Sequence, residues 1–316
     1  MSGHSSHRSA PFARGVLRRI GLGLITLWGV SVITFALLFL VPADPAQTIG
    51  GERATEETLK NIRKEYGLDQ SPIVRYKIFV SDILTNNLKS YRNDDKVMEA
   101  IWRRFPATLL LAATGLGLWM LLAIPIGLLT SKYAGTVFDR TALFLGLVII
   151  SVPTFWLGRL LQHYLGYRFG WFGVGGGASL ANLPLPALTL ALGFAAMYAR
   201  LLHANLRGVM TQDYIRAARA RGLAERVVLG RHALKNALIP IVTILGMDIA
   251  SLLSGLIFTE KIFGWPGIGS LAVDSVLNLD VPMIMGTVLF SALMVVLAGI
   301  AVDIAYRFID PRVRFE

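Results

Sequence analysis

Six apolar runs, each long enough or nearly long enough to cross a bilayer as a helix, divide the chain; a helical span needs about 20 such residues. Ile20–Val41 and Ala107–Thr130 carry no charge. Thr141–Gly158 is bracketed by Arg140 and Arg159, and Leu185–Leu202 holds one charge near its end, Arg200. Ala237–Phe258 holds one charge in its middle, Asp248, and Val281–Val302 is uncharged up to Asp303. Pro106 is placed to open the second run, where its missing N–H has no helical partner. Pro125, Pro153 and Pro240 are placed to kink the second, third and fifth. The pattern predicts an all-α polytopic membrane protein with six transmembrane helices. Arg8, Arg14, Arg18 and Arg19 precede the first run as they would in a signal peptide, but a cleavable core has about 7–15 residues. The first run has 22, so it is read as a retained helix.

The polar stretches between the runs set the organisation. Residues 1–19 form an N-terminal tail, 20–41 the first span, 42–106 a long loop, 107–302 a five-helix core, and 303–316 a C-terminal tail. In the long loop Ile62, Tyr66, Leu68, Ile73, Tyr76, Phe79 and Ile83 recur as in short amphipathic helices, which predicts a small cap. Residues 203–236 join the fourth and fifth spans.

Composition agrees with a membrane protein: of 316 residues 54% are hydrophobic and 16% charged, with mean hydropathy +0.58. The net charge of +11 is unevenly placed. The N-terminal tail has four basic residues and no acid, 203–236 has seven against Asp213 and Glu225, and the C-terminal tail has Arg307, Arg312 and Arg314. Residues 259–280 hold only Lys261 against three acids. The positive-inside rule then predicts both termini and 203–236 in the cytoplasm; six spans place 42–106, too long a loop for the rule itself, outside. With no cysteine, disulfides, thiolate metal sites and thiol nucleophiles are excluded.

No P-loop, H-E-x-x-H or G-x-S-x-G motif occurs, and the five histidines share no metal-ligand spacing beyond His4 and His7 in the tail. No catalytic site, metal site or enzyme activity is expected. The glycine cluster Gly170–Gly177 follows no strand and reads as a loop rather than a phosphate cradle.

The most informative segment lies within 203–236. Thr211 or Asp213 can cap a helix over Tyr214, Ile215, Arg216, Ala217, Ala218, Arg219, Ala220 and Arg221, and Gly222 can end it. Leu223, Val227, Leu234 and Leu238 then share one face of a second helix leading to Pro240. The alanines allow another backbone to approach, and the arginines can make charge-assisted hydrogen bonds. A basic loop can also reflect topology alone. A nucleic-acid site would want stacking aromatics, and this loop offers only Tyr214.

The segment resembles the cytoplasmic "EAA" loop of ABC-importer permeases, in Arg216-Ala217-Ala218, Gly222 and His232-Ala233-Leu234-Lys235-Asn236-Ala237-Leu238-Ile239-Pro240. Arg216 stands where the family name has Glu, as in the dipeptide/oligopeptide/nickel branch. B-type permeases of that branch are also resembled by Arg18-Arg19-Ile20, Val41–Ala46, Arg104–Leu109, Val152–Gly158, Glu260–Gly269 and Asp310–Arg314. The resemblance implies a type I importer permease fold in a bacterial or archaeal plasma membrane. It implies a paralogous permease partner, two ATP-binding subunits holding ATP and Mg, and an external substrate-binding protein. The helix over Asp213–Gly222 would couple to an ATPase, and no cofactor would bind this chain. The cargo would be di- or oligopeptides, with nickel chelates or oligosaccharides as alternatives within the class. A passive channel would need polar rings, whereas these spans are mostly aliphatic.

Asp248 has two readings. A carboxylate at bilayer depth costs about 2.5–3.5 kcal/mol on insertion scales, so it should face the bundle interior or a wet path. It either pairs with a neighbouring helix or, with Ser251 and Ser254, lines the substrate path.

Overall fold

The computed structural model describes residues 10–40, 44–51, 53–253 and 256–309. Among them the protein is almost wholly helical; the only extended pairing is an isolated antiparallel bridge between Lys89 and Lys96. Four helices contain apolar stretches long enough to cross a membrane unaided: α1 (Ala10–Leu40), α5 (Val97–Lys132), α8 (Pro184–Met210) and α15 (Val281–Ile309). The third and fifth apolar runs form bent pairs. Counted as one span each, these complete the six expected from sequence.

The prolines act unequally. At Pro153 the chain turns by 103° between α6 (Val137–Ser151) and α7 (Thr154–Leu161), which a π-helical turn extends over Gln162–Arg168. At Pro240 the bend is 48°, between α11 (Leu234–Ala237) and α12 (Ile239–Leu253). Pro125 breaks nothing, because α5 continues to Lys132. Pro106 does not open the second span either: α5 begins at Val97. Its extra turns are held by packing, since Val97, Ala100 and Ile101 are buried against Ile268, Met283 and Phe290. The fifth run also ends early as a helix. The described part of α12 runs to Leu253, Leu256 is not helical, and a short helix, α13, spans Ile257–Phe263.

The core is the α5–α8 pair. A Cβ at Gly115 would lie 2.3 Å from Leu190, and one at Gly127 would lie 2.9 Å from the Ala199 carbonyl, so these glycines set the close approach of the two helices. Trp119 on α5 stacks on Phe194 of α8 at 4.4 Å between ring centroids. α1 packs on α15, as does α12.

The long loop folds as expected into short helices, α2 (Pro45–Gly50), α3 (Glu56–Glu65) and α4 (Pro72–Leu84). Tyr76 hydrogen-bonds Ser31 of α1 at 2.7 Å. Asp280, just ahead of α15, accepts hydrogen bonds from the Ser90 hydroxyl and from the Tyr91 N–H.

Candidate functional site

Between the fourth and fifth runs, α9 (Asp213–Ala220) forms where the sequence predicts a helix. Its inner face is small: Ile215 and Ala218, three residues apart, are buried with Leu206 and Val228. Burying an Ile side chain contributes about 1.5–3 kcal/mol, so one short helix is held by a single anchor and its neighbour. The opposite face, with Arg216, Ala217, Arg219 and Ala220, is exposed, and Tyr214 is 43% exposed.

The cap differs from the one predicted. The N-cap is Gln212, which makes no side-chain hydrogen bond. The Thr211 hydroxyl instead donates back to the Gly208 carbonyl at 2.8 Å, closing the end of α8. Asp213 occupies the first turn of α9, where its charge suits the helix dipole. Arg221 closes α9, and Gly222 follows at φ +78°, a left-handed conformation that favours glycine. A Cβ at Gly222 would meet nothing within 4 Å.

Arg219 is committed within the turn. It forks onto Glu225, with Nη2 to Oε1 at 2.7 Å and Nε to Oε2 at 3.1 Å. Arg216 donates to the Thr211 carbonyl at 3.2 Å. Asn236 donates to the Tyr214 hydroxyl at 2.7 Å, tying α9 to α11.

The second helix of the loop follows the sequence pattern only in part. It comprises α10 (Glu225–Val227), a π-helical turn at Val228–Ala233, and α11. Across the wider turn Val228, Ala233 and Ala237 are buried and the predicted Leu234 and Leu238 pack half-buried on the same core, while Leu223 is left 39% exposed.

Within the bundle, the Tyr198 hydroxyl on α8 donates to Asp248 Oδ2 on α12 at 2.5 Å. Tyr198 is buried beside Trp119, and Asp248 is half-buried. The carboxylate therefore has an interhelical partner on one oxygen. Met247 and Ser251 on the same helix are exposed. Gly246 is packed against Val302. Ser254 and Gly255 lie outside the described residues, so the structure does not bring Ser254 together with Asp248 and Ser251.

Besides Asp280, two further buried acids escaped the sequence reading. Glu260 on α13 has no solvent exposure. It accepts from the Thr108 hydroxyl and from the Ser270 N–H, each at 2.7 Å. Thr108 in turn accepts from the Ile268 N–H at 2.8 Å, and Trp265 donates its indole N–H to the Ala107 carbonyl at 2.8 Å. The Glu260–Gly269 block is thus a strap bolted to the start of α5. Burial pushes the Glu260 carboxyl above its ordinary value, against the opposing pull of these hydrogen bonds. The available sequence signal was the glycine spacing: a Cβ at Gly267 would fall 2.2 Å from Glu260 Oε1. The second acid, Asp139 at the start of α6, is buried 3.5 Å from His203 of α8. Among the described residues no cluster of three His, Asp or Glu is placed to hold a metal.

The chain is similar to known proteins in sequence and in fold. Residues 123–315 match the family described as "Binding-protein-dependent transport system inner membrane component", and residues 12–112 match the N-terminal membrane component of the same systems. The chain is 37% identical over 303 residues to a glutathione transport system permease protein, GsiC, of Salmonella typhi, covering 95% of this chain and 99% of that one. It is 33% identical over 312 residues to the oligopeptide transport system permease protein AppB of Bacillus subtilis (strain 168), covering 95% and 99%. It is 31% identical over 328 residues to the dipeptide transport system permease protein DppB of Alkalihalophilus pseudofirmus, covering 95% and 98%. In fold it is similar to a chain of the MetNI methionine ABC transporter in an inward-facing conformation, with TM-score 0.56 and 20% identity, covering 67% of this chain and 97% of that one.

Proposed function

The chain belongs to the family of binding-protein-dependent transport system inner-membrane components, and from that membership we propose that it forms half of a peptide-conducting path, with α9 as its coupling helix. It is a multi-pass permease subunit of an ABC importer, with the type I importer fold. Di- or oligopeptides are the proposed cargo, supported by relatives named for dipeptide, oligopeptide and glutathione transport. A paralogous permease supplies the other half of the path, two ATPase subunits bind ATP and Mg, and an external binding protein delivers the peptide.

The observation that carries the coupling role is the division of α9 into a buried face at Ile215 and Ala218 and an open face at Tyr214, Arg216, Ala217 and Ala220. A helix anchored on one side and bare on the other, following a rigid span and closed by Gly222, suits insertion into a groove of a second protein. ATP-driven closure of the ATPases would push this helix and tilt the packed spans between two states. Because Arg219 is held by Glu225, and Arg216 by the Thr211 carbonyl and Asp213, the exposed Arg221 is left to meet the ATPase rim.

The charge asymmetry supports both termini and α9 in the cytoplasm and the Glu260 strap outside, and six spans then leave residues 42–106 outside as well. Asp248, steadied by Tyr198, would present its second oxygen to the path beside Ser251. Reconstitution with the paralogous permease, ATPases and binding protein tests the function. ATP-dependent accumulation of a labelled tripeptide is expected, and peptide-independent ATP hydrolysis with no accumulation would refute it.

A further inference from the structure

A cavity of about 700 Å³ opens beside the first turns of α5, walled by Pro266 of the strap and Ala178 of the glycine-rich loop. Its volume lies within the roughly 300–1,000 Å³ of small-molecule sites. Ala107, Leu110, Leu271 and Met283 give it an apolar lining. Its polar edge carries Arg103, Arg104 and Asp95. Arg103 is matched, since its Nη2 meets Asp95 Oδ2 at 2.6 Å. Arg104 is half-buried and, among the described residues, makes no hydrogen bond or ion pair. A guanidinium is a planar fork of donors that fits a carboxylate at two points, and a partly desolvated one without a counter-ion calls for an oxyanion.

We propose that this cavity is an entry subsite of the translocation path, in which Arg104 holds the free α-carboxylate of a short peptide and the apolar lining takes a side chain. The proposal rests on the reading of the chain as a peptide importer subunit with the strap outside. A lipid phosphate offers the same oxyanion chemistry. The walls contributed by Pro266 and Ala178 place the ligand against loops beside α5, which favours a peptide over a headgroup at the bundle perimeter.

The test is direct binding to the assembled importer in nanodiscs of zwitterionic lipid, without binding protein. Saturation-transfer NMR compares N-acetyl-trialanine with its C-terminal amide. The wild type should bind the free acid about 10-fold or more tightly than the amide, the worth of a charge-assisted pair. Arg104→Gln should bring that ratio close to one, and Arg104→Lys, which keeps the charge and loses the fork, should leave an intermediate ratio. No preference in the wild type, or a full preference surviving in Arg104→Gln, would overturn the proposal. A preference abolished by adding anionic lipid would assign Arg104 to headgroup phosphate and overturn it too. Because the comparison between wild type and the Arg104 variants isolates the Arg104-dependent part of binding and needs no ATP, its failure is distinct from a failure of ATP-dependent peptide accumulation, which would refute the function itself.

Discussion

Replacing Glu260 by Ala removes the acceptor at the centre of the strap. Two donors, the Thr108 hydroxyl and the Ser270 N–H, then lose a partner at a site with no solvent exposure. Each buried donor left unsatisfied costs about 1–3 kcal/mol, so the two together cost about 2–6 kcal/mol. Folded domains retain only about 5–15 kcal/mol, so the change is a large fraction of the whole. Glu260→Gln should cost less. Its carbonyl can serve Ser270 while its amide faces the Thr108 oxygen, so only one hydrogen bond is reversed. Unfolding of the purified subunit in mixed micelles, followed by tryptophan fluorescence at several pH values, measures both. Because burial raises the folded carboxyl above its ordinary 4.5, the folded state retains a proton that the unfolded state releases. Stability from this group is therefore complete below pH 4.5 and declines as pH rises through the folded value. That slope should vanish in Glu260→Gln. An Ala variant within about 1 kcal/mol of wild type, below the range for even one orphaned donor, would refute the strap as a load on the fold.

Topology is checked by a single cysteine at Asp69, since the native chain has none. It should react with an impermeant reagent in intact cells, and labelling only after the interior is opened would reverse the orientation. Asp248→Asn should lower uptake of a lysine-containing tripeptide more than that of a neutral one. An equal effect on both, reproduced by Tyr198→Phe, would confine Asp248 to its interhelical hydrogen bond.

The spans were legible because charge is excluded from them apart from Arg200 and Asp248, and α9 because alanines and arginines are interspersed ahead of a glycine. Bends were less legible. Pro125 and Pro153 look alike in sequence, yet one sits inside a continuous helix and the other marks a 103° turn, a difference decided by packing. After Gly222 the pattern found Leu234 and Leu238 but missed Val228, Ala233 and Ala237, because a π-helical turn changes the residue period and no composition rule signals it. Glu260 was read as one external charge among several. Only the fold brings Thr108 and Ser270 to it, 152 and 10 residues away in the chain.

The coupling role of α9 is tested most directly at Gly222, by comparing Gly222→Ala with Gly222→Leu in the assembled importer. Both place a side chain at φ +78° and share a backbone cost of about 1–2 kcal/mol. Neither meets a neighbour within this chain at its Cβ. Only leucine adds bulk at the edge that α9 offers to a partner. ATPase co-purification and ATP-dependent peptide uptake should survive in the alanine variant and fall about tenfold or more in the leucine variant, as a clash of about 1.4 kcal/mol or more at the docked helix would cause. Equal retention of both activities in the two variants would show that nothing docks there.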